Sequence, residues 1–518
     1  MPAEPSAPPA IHLRPDDNVA VAARPLAAGS DVRVNGFQVV LGSRIGTGHK
    51  LAVKPIAKGE AVRKYGQIIG FASQDIPAGS HVHVHNVSAG AFDRDYAYGQ
   101  DLPAPLPKVQ PREWMGYDRG DGRYGTRNYI AIISTVNCSA STSKYISERI
   151  RSSGMLRQFP NVDGVVAITH KAGCAMQYDG PDHKQLDLTL AGFAKHPNVG
   201  AYILIGLGCE TGQAIHLIEG QHLVQLNSSR SPGAAPTLLT IQECGGIGKT
   251  VEAGTRAVAE LLPRVNEVRR TRLSADKIIL GTNCGGSDGN SGVTANPALG
   301  VASDMLVAQG GASVLAETPE IYGAEHLLTR RAISREVGEK LVERIKWWEW
   351  YTGIFGAEIN NNPSPGNKEG GLTTIYEKSL GAVAKGGSTA LVDVVGYAQP
   401  VRAKGLVVMD TPGYDPVSMT GIVAGGANVL VFTTGRGSVF GCKPAPSIKV
   451  ATNTPLYDHM TEDMDINAGV ILEGTPVEEV GRRIFEEILE VASGKKTKSE
   501  LNGVGEEEFA PWSIGPTL

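Results

Sequence analysis

Only six cysteines occur in the 518 residues, too few for a disulfide scaffold in a chain of this size. A reducing compartment would keep them as thiols. Aromatic residues are sparse at 6%, and the charges nearly cancel to a formal net charge of −4. There is therefore no basic footprint for nucleic acid and no basic amphipathic stretch for a membrane surface. Long apolar runs are missing as well. The longest, such as residues 164–168 and 202–207, fall far short of the ~18 residues that a membrane-crossing helix needs. The opening "MPAEPSAPPA" has neither the basic nor the apolar region of a secretion signal. Residues 1–10 read as a disordered tail, and the protein as cytoplasmic with a small-molecule partner.

Glycine is abundant, with 64 residues, well above the usual ~7%. Without a collagen period and with 41% hydrophobic residues, that excess implies many tight loops on a packed scaffold, where sites are built. The length implies two or three domains. From residue 11 to 89 short valine-rich alternating runs are broken by turn signals, as in "LAAGSDVRVNG" and "DIPAGSHVHVHNV", which predicts an all-β module. Residues 90–111, with "YGQDLPAPLPKVQP", read as a semi-extended linker.

Beyond the linker five apolar runs each end in a cysteine: Cys138, Cys174, Cys209, Cys244 and Cys284. Their spacing of about 35 to 40 residues suits one βα repeat. A middle α/β domain is expected over 112–272 and a Rossmann-like α/β domain over 273–518, both with parallel sheets and helices on the faces. In such sheets ligands bind outside the carboxyl ends of the strands, where all five cysteines would sit. Strands are expected at "ASVLAE", "GLVVMD", "NVLVFTTGRG" and "IKVATN", helices over 330–351 and at "PVEEVGRRIFEEILEVASGKK", and neither element over 360–371.

Several fragments resemble nucleotide motifs and fail in detail. "CGGIGKT" needs a glycine five residues before Gly248 to be a P-loop, and Glu243 stands there, where its charge would oppose phosphate. "GNKEG" precedes "VVMDTPG", the wrong order for a GTPase. The cysteines read more coherently. Each alone could be a small buried residue, but Cys138, Cys174, Cys209 and Cys284 in neighbouring glycine loops near Asp288 would make a soft metal pocket. In "SHVHVHN" alternate residues His81, His83 and His85 would face one side of a strand, joined by His49, while His170 lies beside a cysteine loop. An exposed edge strand would explain the first three equally well. Arg127, Lys368 and Arg436, cations in loops, fit an acidic substrate.

The stretch "NCGGSDGNSGVTANPALG" at 283–300, together with "DGRYGTRN", "GLGCE", "PEIYGAE", "NPSPGNKEGG", "TTGRG" and "INAG", resembles the motifs of the sugar-acid dehydratases typified by altronate and galactarate dehydratase. The segments "GHK", "YGQIIG" and "HVHVHN" resemble their SAF-type β-clip domain. The resemblance implies a hydro-lyase that needs a divalent metal, iron(II) with manganese(II) or an iron-sulfur cluster as alternatives, and converts a sugar acid to a 2-keto-3-deoxy acid. "HVHVHN" and "PEIYGAE" look like the altronate type, while "DINAG", "VASGKK" and "GTRN" lean toward the galactarate type. D-altronate is the expected substrate and a homodimer the expected assembly. A non-catalytic sugar-acid-binding protein and a phosphate-binding NTPase are the competing classes. Expected metal ligands are Cys138, Cys174, Cys209, Cys284 and Asp288. His49, His85 and, as a fallback, His170 are the expected proton carriers. Arg127, Asn290, Asn296, Asn367, Lys368 and Arg436 are expected to hold the substrate.

Overall fold

The computed structural model describes residues 8–92, 94, 96–107, 109–226 and 234–515. Residues 1–7 of the expected tail lie outside the described residues, and Ala10 already belongs to a strand paired with Val19–Ala22. The amino-terminal module is all-β. Strands Ala10–Ile11, Val19–Ala22, Lys50–Ala52 and His81–Val82 form one antiparallel sheet, and Ala61–Lys64, Gln67–Ala72 and Val87–Ser88 another. Strands Ala61–Lys64 and Gln67–Ala72 are joined by Tyr65 and Gly66, both at positive φ (64° and 72°). Such a turn normally asks for Asn-Gly. The tyrosine is held there because its own N–H and that of Gly66 donate to the buried Asp17 carboxylate.

Val62, Ile69 and Val82 of the module share one apolar cluster with Leu315, Leu380 and Val408 of the carboxyl-terminal domain. The module is therefore docked. The linker is fastened down too: Arg94 and the Tyr96 hydroxyl both donate to Glu325 at 2.8 Å, and the Gly99 and Asp101 N–H groups bond the Thr329 and Arg330 carbonyls.

The middle domain is a parallel four-stranded sheet in the order Gly164–Ile168, Tyr129–Ser134, Val199–Gly206, Thr237–Thr240. Helices Ala140–Ser152, Pro181–Ala194 and Ile247–Glu267 accompany it. The carboxyl-terminal domain has a parallel sheet of seven strands, in the order Leu391–Val395, Gly405–Met409, Ala312–Leu315, Ile279–Cys284, Val429–Thr434, Ser447–Ala451, Ile466–Asn467. The chain lays its first four strands on one side, starting from Ile279–Cys284, and then returns to the other side. Strand order reverses at that central strand, so the ligand crevice of an open α/β sheet falls at its carboxyl end.

The four expected strands are present. Leu391–Val395 was not expected because Asp393 interrupts its apolar run; the carboxylate takes a partner in Lys340 at 3.4 Å. The expected helix at 330–351 runs Arg335–Ile354, starting where the Ser334 hydroxyl accepts from the Val337 N–H. Within 360–371 there is a short helix, Pro365–Glu369, made possible by the reciprocal Ser364 and Asn367 capping box. Among the described residues no helix is long and apolar enough to cross a membrane.

Candidate functional site

At the switch point the chain leaves the sheet through Gly285 and Gly286 and turns at Asp288. Both Asp288 oxygens are occupied: Oδ1 accepts from the Asn290 N–H and the Ser291 hydroxyl, and Oδ2 from the Asn290 amide, Thr452 and Asn453. Two glycines bring the β module onto this turn. A Cβ on Gly289 would meet the Gly48 carbonyl at 1.9 Å, and one on Gly371 would meet it at 2.6 Å. Glycine here serves the approach of one backbone to another.

Gly48 delivers His49. Its Nε2 lies 3.1 Å from the Glu369 carbonyl, which only accepts, so this nitrogen carries the proton. Its Nδ1 is then a lone pair, 3.0 Å from His81 Nε2. One nitrogen each from His49, His81 and His83 lie within 4.8 Å of one another. The His81 ring also neighbours His85, with centroids 5.5 Å apart. Strand alternation does not bring them together as expected, because the strand ends at Val82 and residues 83–86 form a turn. The Asn86 side chain closes that turn, accepting from the His83 N–H and donating to the His81 carbonyl. Burial pushes His81 down to about 4, helped by His49, and His83 down to about 3, helped by Lys50. His49 is also lowered by burial, against its bond to Glu369. Three uncharged imidazoles with His83 Nδ1 buried and unpartnered are the donor set a divalent transition metal takes.

Beneath the histidines lies an ionic lock. Lys50 and Lys64, from the module, each reach Glu377 of helix Ile375–Val383 at 2.9 Å, and all three are buried. Burial alone would raise the Glu377 carboxyl, yet the two ammonium groups hold it well below the ordinary range. Lys50 also donates to the Gly371 carbonyl and Lys64 to that of Gly289, tying both sides of the glycine contact.

On the other side of that helix Cys284 is buried and its thiol is pushed up to about 12 by burial and by Glu317. Lys385 Nζ lies 2.9 Å from its sulfur and 2.7 Å from Glu317, while Lys378 bonds Glu320 at 2.6 Å. Cys284, Glu317 and Glu320 have metal-like spacing, but two ammonium groups already fill the place of a cation.

The expected single pocket of cysteines is corrected by this arrangement. Cys138, Cys174 and Cys209 are exposed at the carboxyl ends of the four-stranded sheet, whereas Cys284 is buried in the seven-stranded one. Among the described residues no group at metal-ligand spacing joins them to Cys284 or Asp288. Arg127 is corrected as well. All five of its N–H groups are used, on Glu500 twice and on the carbonyls of Thr126, Val491 and Lys495, so it rivets the middle domain to the carboxyl-terminal one. His170 bonds the Ser134 carbonyl and accepts from the Ala172 N–H, which leaves no free nitrogen for a base. Asn296 bridges Thr433 and the Gly381 carbonyl, and Asn367 is spent on the capping box and the Ser287 carbonyl. Asn290 keeps its Oδ1 buried without a partner beside Gly48. Arg436 is largely exposed, 3.5 Å from Glu369. Lys368 is half-buried on the Pro365–Glu369 helix.

Comparison with known proteins agrees along the whole chain. Residues 8–90 match the altronate/galactarate dehydratase SAF domain, 116–266 the D-galactarate dehydratase/altronate hydrolase second domain, and 275–517 the D-galactarate/altronate dehydratase carboxyl-terminal domain. The chain is 35% identical to the altronate dehydratase of Bacillus subtilis, covering 98% of this chain and 99% of that one.

The chain belongs to the altronate/galactarate dehydratase family.

It is also 36% identical to the altronate dehydratase of Escherichia coli, over 98% of this chain and 99% of that one, and 37% identical to the galactarate dehydratase (L-threo-forming) of the same organism, over 94% and 93%. Within this family framework, the charged residues that sequence reasoning missed are Lys50, Lys64, Glu377, Glu317 and Lys385. Lys50 stands in the quoted "GHK" segment, but no local pattern names the partner of any of the five, which lies far along the chain.

Proposed function

We propose that this chain is a metal-dependent hydro-lyase that dehydrates D-altronate to a 2-keto-3-deoxy acid, with iron(II), or manganese(II), held by His49, His81 and His83. The observation that carries the reading is the convergence of three uncharged imidazoles against the glycine turn of the switch point. Such an ion, when bound, supplies Lewis-acid polarisation of the substrate carboxylate and 2-hydroxyl.

The chain's own groups do the rest. Lys368 and Arg436 sit beside Glu369, the residue whose carbonyl orients His49, and are placed to hold the acid's carboxylate. Asn290 Oδ1 offers an acceptor for a substrate hydroxyl. His85, exposed next to His81, is positioned to exchange a proton with solvent. Proton transfer of this kind contributes about 10²- to 10⁴-fold, whereas enzymes lower barriers by about 8 to 23 kcal/mol. Most of the barrier reduction therefore falls to positive charge at the carboxylate. Identity to the altronate and galactarate enzymes is nearly equal; the "HVHVHN" and "PEIYGAE" segments favour altronate.

The test is anaerobic incubation of the iron-loaded protein with a panel of aldonic and aldaric acids, scored for 2-keto-3-deoxy products. D-altronate is expected to turn over fastest. Preference for galactarate would overturn the substrate, full activity after exhaustive chelation the metal, and no product from any acid the function.

A further inference from the structure

The proposed histidine site leaves Cys138, Cys174 and Cys209 unused, although the sequence marked them as candidate metal ligands. Sheet register places them together. Ser134 and Ile205 are paired across neighbouring strands, and Cys138 and Cys209 each follow their member of that pair at the same distance along the chain. Cys174 follows Ile168, the partner of Ile133 on the other side. The three loops are then stitched to one another next to the cysteines: the Asn137 N–H bonds the Ala172 carbonyl at 2.9 Å, and the Gly212 N–H the Gly173 carbonyl at 3.0 Å. Gly173 makes this possible, with φ of 101° and no room for a Cβ against the Thr135 carbonyl. All three thiols remain exposed.

A second observation points to a ligand at this place. His183 is buried, and its Nδ1 accepts from the Asp179 N–H at 3.1 Å, so its ring proton is on Nε2. That N–H has no hydrogen-bond partner; the nearest carboxylate, Asp187, is 3.8 Å away. Nε2 lies 3.6 Å from where a Gly212 Cβ would be, in the loop after Cys209 that is bonded to the Cys174 loop. Gln242 offers a further N–H, 3.3 Å from the Cys209 sulfur. Donors aimed at sulfur are the usual surroundings of a thiolate-bound metal centre. Lys171, with Lys144 paired to Glu507, and Asp182 line the cavity of about 520 Å³ beside Cys174.

A single tetrahedral ion with bonds of about 2.3 Å requires its sulfurs within about 3.8 Å of each other. Among the described residues the three thiols are not gathered that closely, so a centre joining them through three neighbouring strand-end loops is wider than one ion. The geometry points to a second metal centre, an iron-sulfur cluster held by Cys138, Cys174 and Cys209 in the middle domain, independent of the histidine site.

The test is anaerobic reconstitution of the full chain with ferric iron, inorganic sulfide and excess dithiothreitol, which supplies the two electrons each four-iron cluster takes up and is itself oxidised to the disulfide, followed by desalting and assay of iron and acid-labile sulfide. About four of each per chain are expected beyond any histidine-bound iron, with a visible charge-transfer band. The C138S/C174S/C209S variant is expected to lose the band and bring sulfide below about one per chain, with an unchanged circular-dichroism melt because the thiols are exposed. An H83A variant is expected to keep the sulfide, which separates this centre from the proposed histidine site. Equal sulfide in the triple variant, iron bound without sulfide, or no sulfide in folded wild-type protein would each overturn the proposal.

Discussion

The two parallel sheets carry the same apparatus at their carboxyl ends, glycine-rich loops with cysteines after apolar strands, yet they were put to different physical uses. On the seven-stranded sheet the β module covers the loops. Cys284 is buried and bonded to Lys385, Asp288 is saturated, and Lys50, Lys64 and Glu377 are sealed inside. On the four-stranded sheet three thiols stay open, with the His183 N–H unpartnered beside their loops. The difference teaches that burial decides how a strand-end cysteine is used: Cys284 is packed among Glu317, Glu320 and Lys385 of its own domain, whereas Cys138, Cys174 and Cys209 stay accessible. A buried thiol beside a carboxylate is pushed toward its neutral form, whereas an exposed one keeps its reactivity.

The sharpest way to break this comparison is at the histidines. His83→Ala is expected to lower bound iron and reduce turnover more than about 100-fold, with circular dichroism unchanged; retention of iron and rate would move the site elsewhere. Glu377→Gln, under the same module, leaves two buried ammonium groups without a full counter-charge. It is expected to cost about 3–5 kcal/mol in urea unfolding, and a loss under about 1 kcal/mol would show that the lock is unimportant. Arg127→Lys tests the rivet between the domains. Lysine cannot reproduce five fixed donors, so about 1–3 kcal/mol of stability should go while the rate of the folded enzyme stays the same; a raised KM with unchanged stability would restore the substrate-binding role.

The smallest effect expected is on pH dependence. Because His81 and His83 titrate lower when folded, at about 4 and about 3, than their ordinary 6.5, the unfolded chain binds the extra protons first as pH falls. Stability from these groups is complete above 6.5 and is lost between there and about 4 to 3. Both rings are partly solvent-accessible, so the slope is shallow. Replacing both with Gln should flatten it in a chelated sample; an unchanged slope would assign it to other groups.

Much of the fold was legible locally. Alternating valine runs with turn residues gave the β module, and the regular recurrence of apolar runs gave two parallel sheets, because strand period and βα length are short-range properties. The position of the crevice followed from the same periodicity through the carboxyl-end rule. Residues whose chemistry depends on partners far along the chain were not legible. His49, His81 and His83 were visible as donors, but His49 meets His81 through the pairing of Lys50–Ala52 with His81–Val82, and His83 joins them on a turn closed by Asn86. Arg127 looked like a free loop cation and proved to be fully bonded across more than 360 residues.

What the sequence determined by itself was the inventory: domain classes, the glycine loops, and the donors able to bind a metal or an acid. What only the tertiary structure decided was their assignment. Docking of the β module on Gly289 and Gly371 brings Gly48 and His49 to the switch point, buries Glu377 between Lys50 and Lys64, and leaves Cys138, Cys174 and Cys209 uncovered on the other sheet. The reason is that burial and charge pairing are set by which surfaces meet, and local sequence specifies the surfaces without specifying their partners.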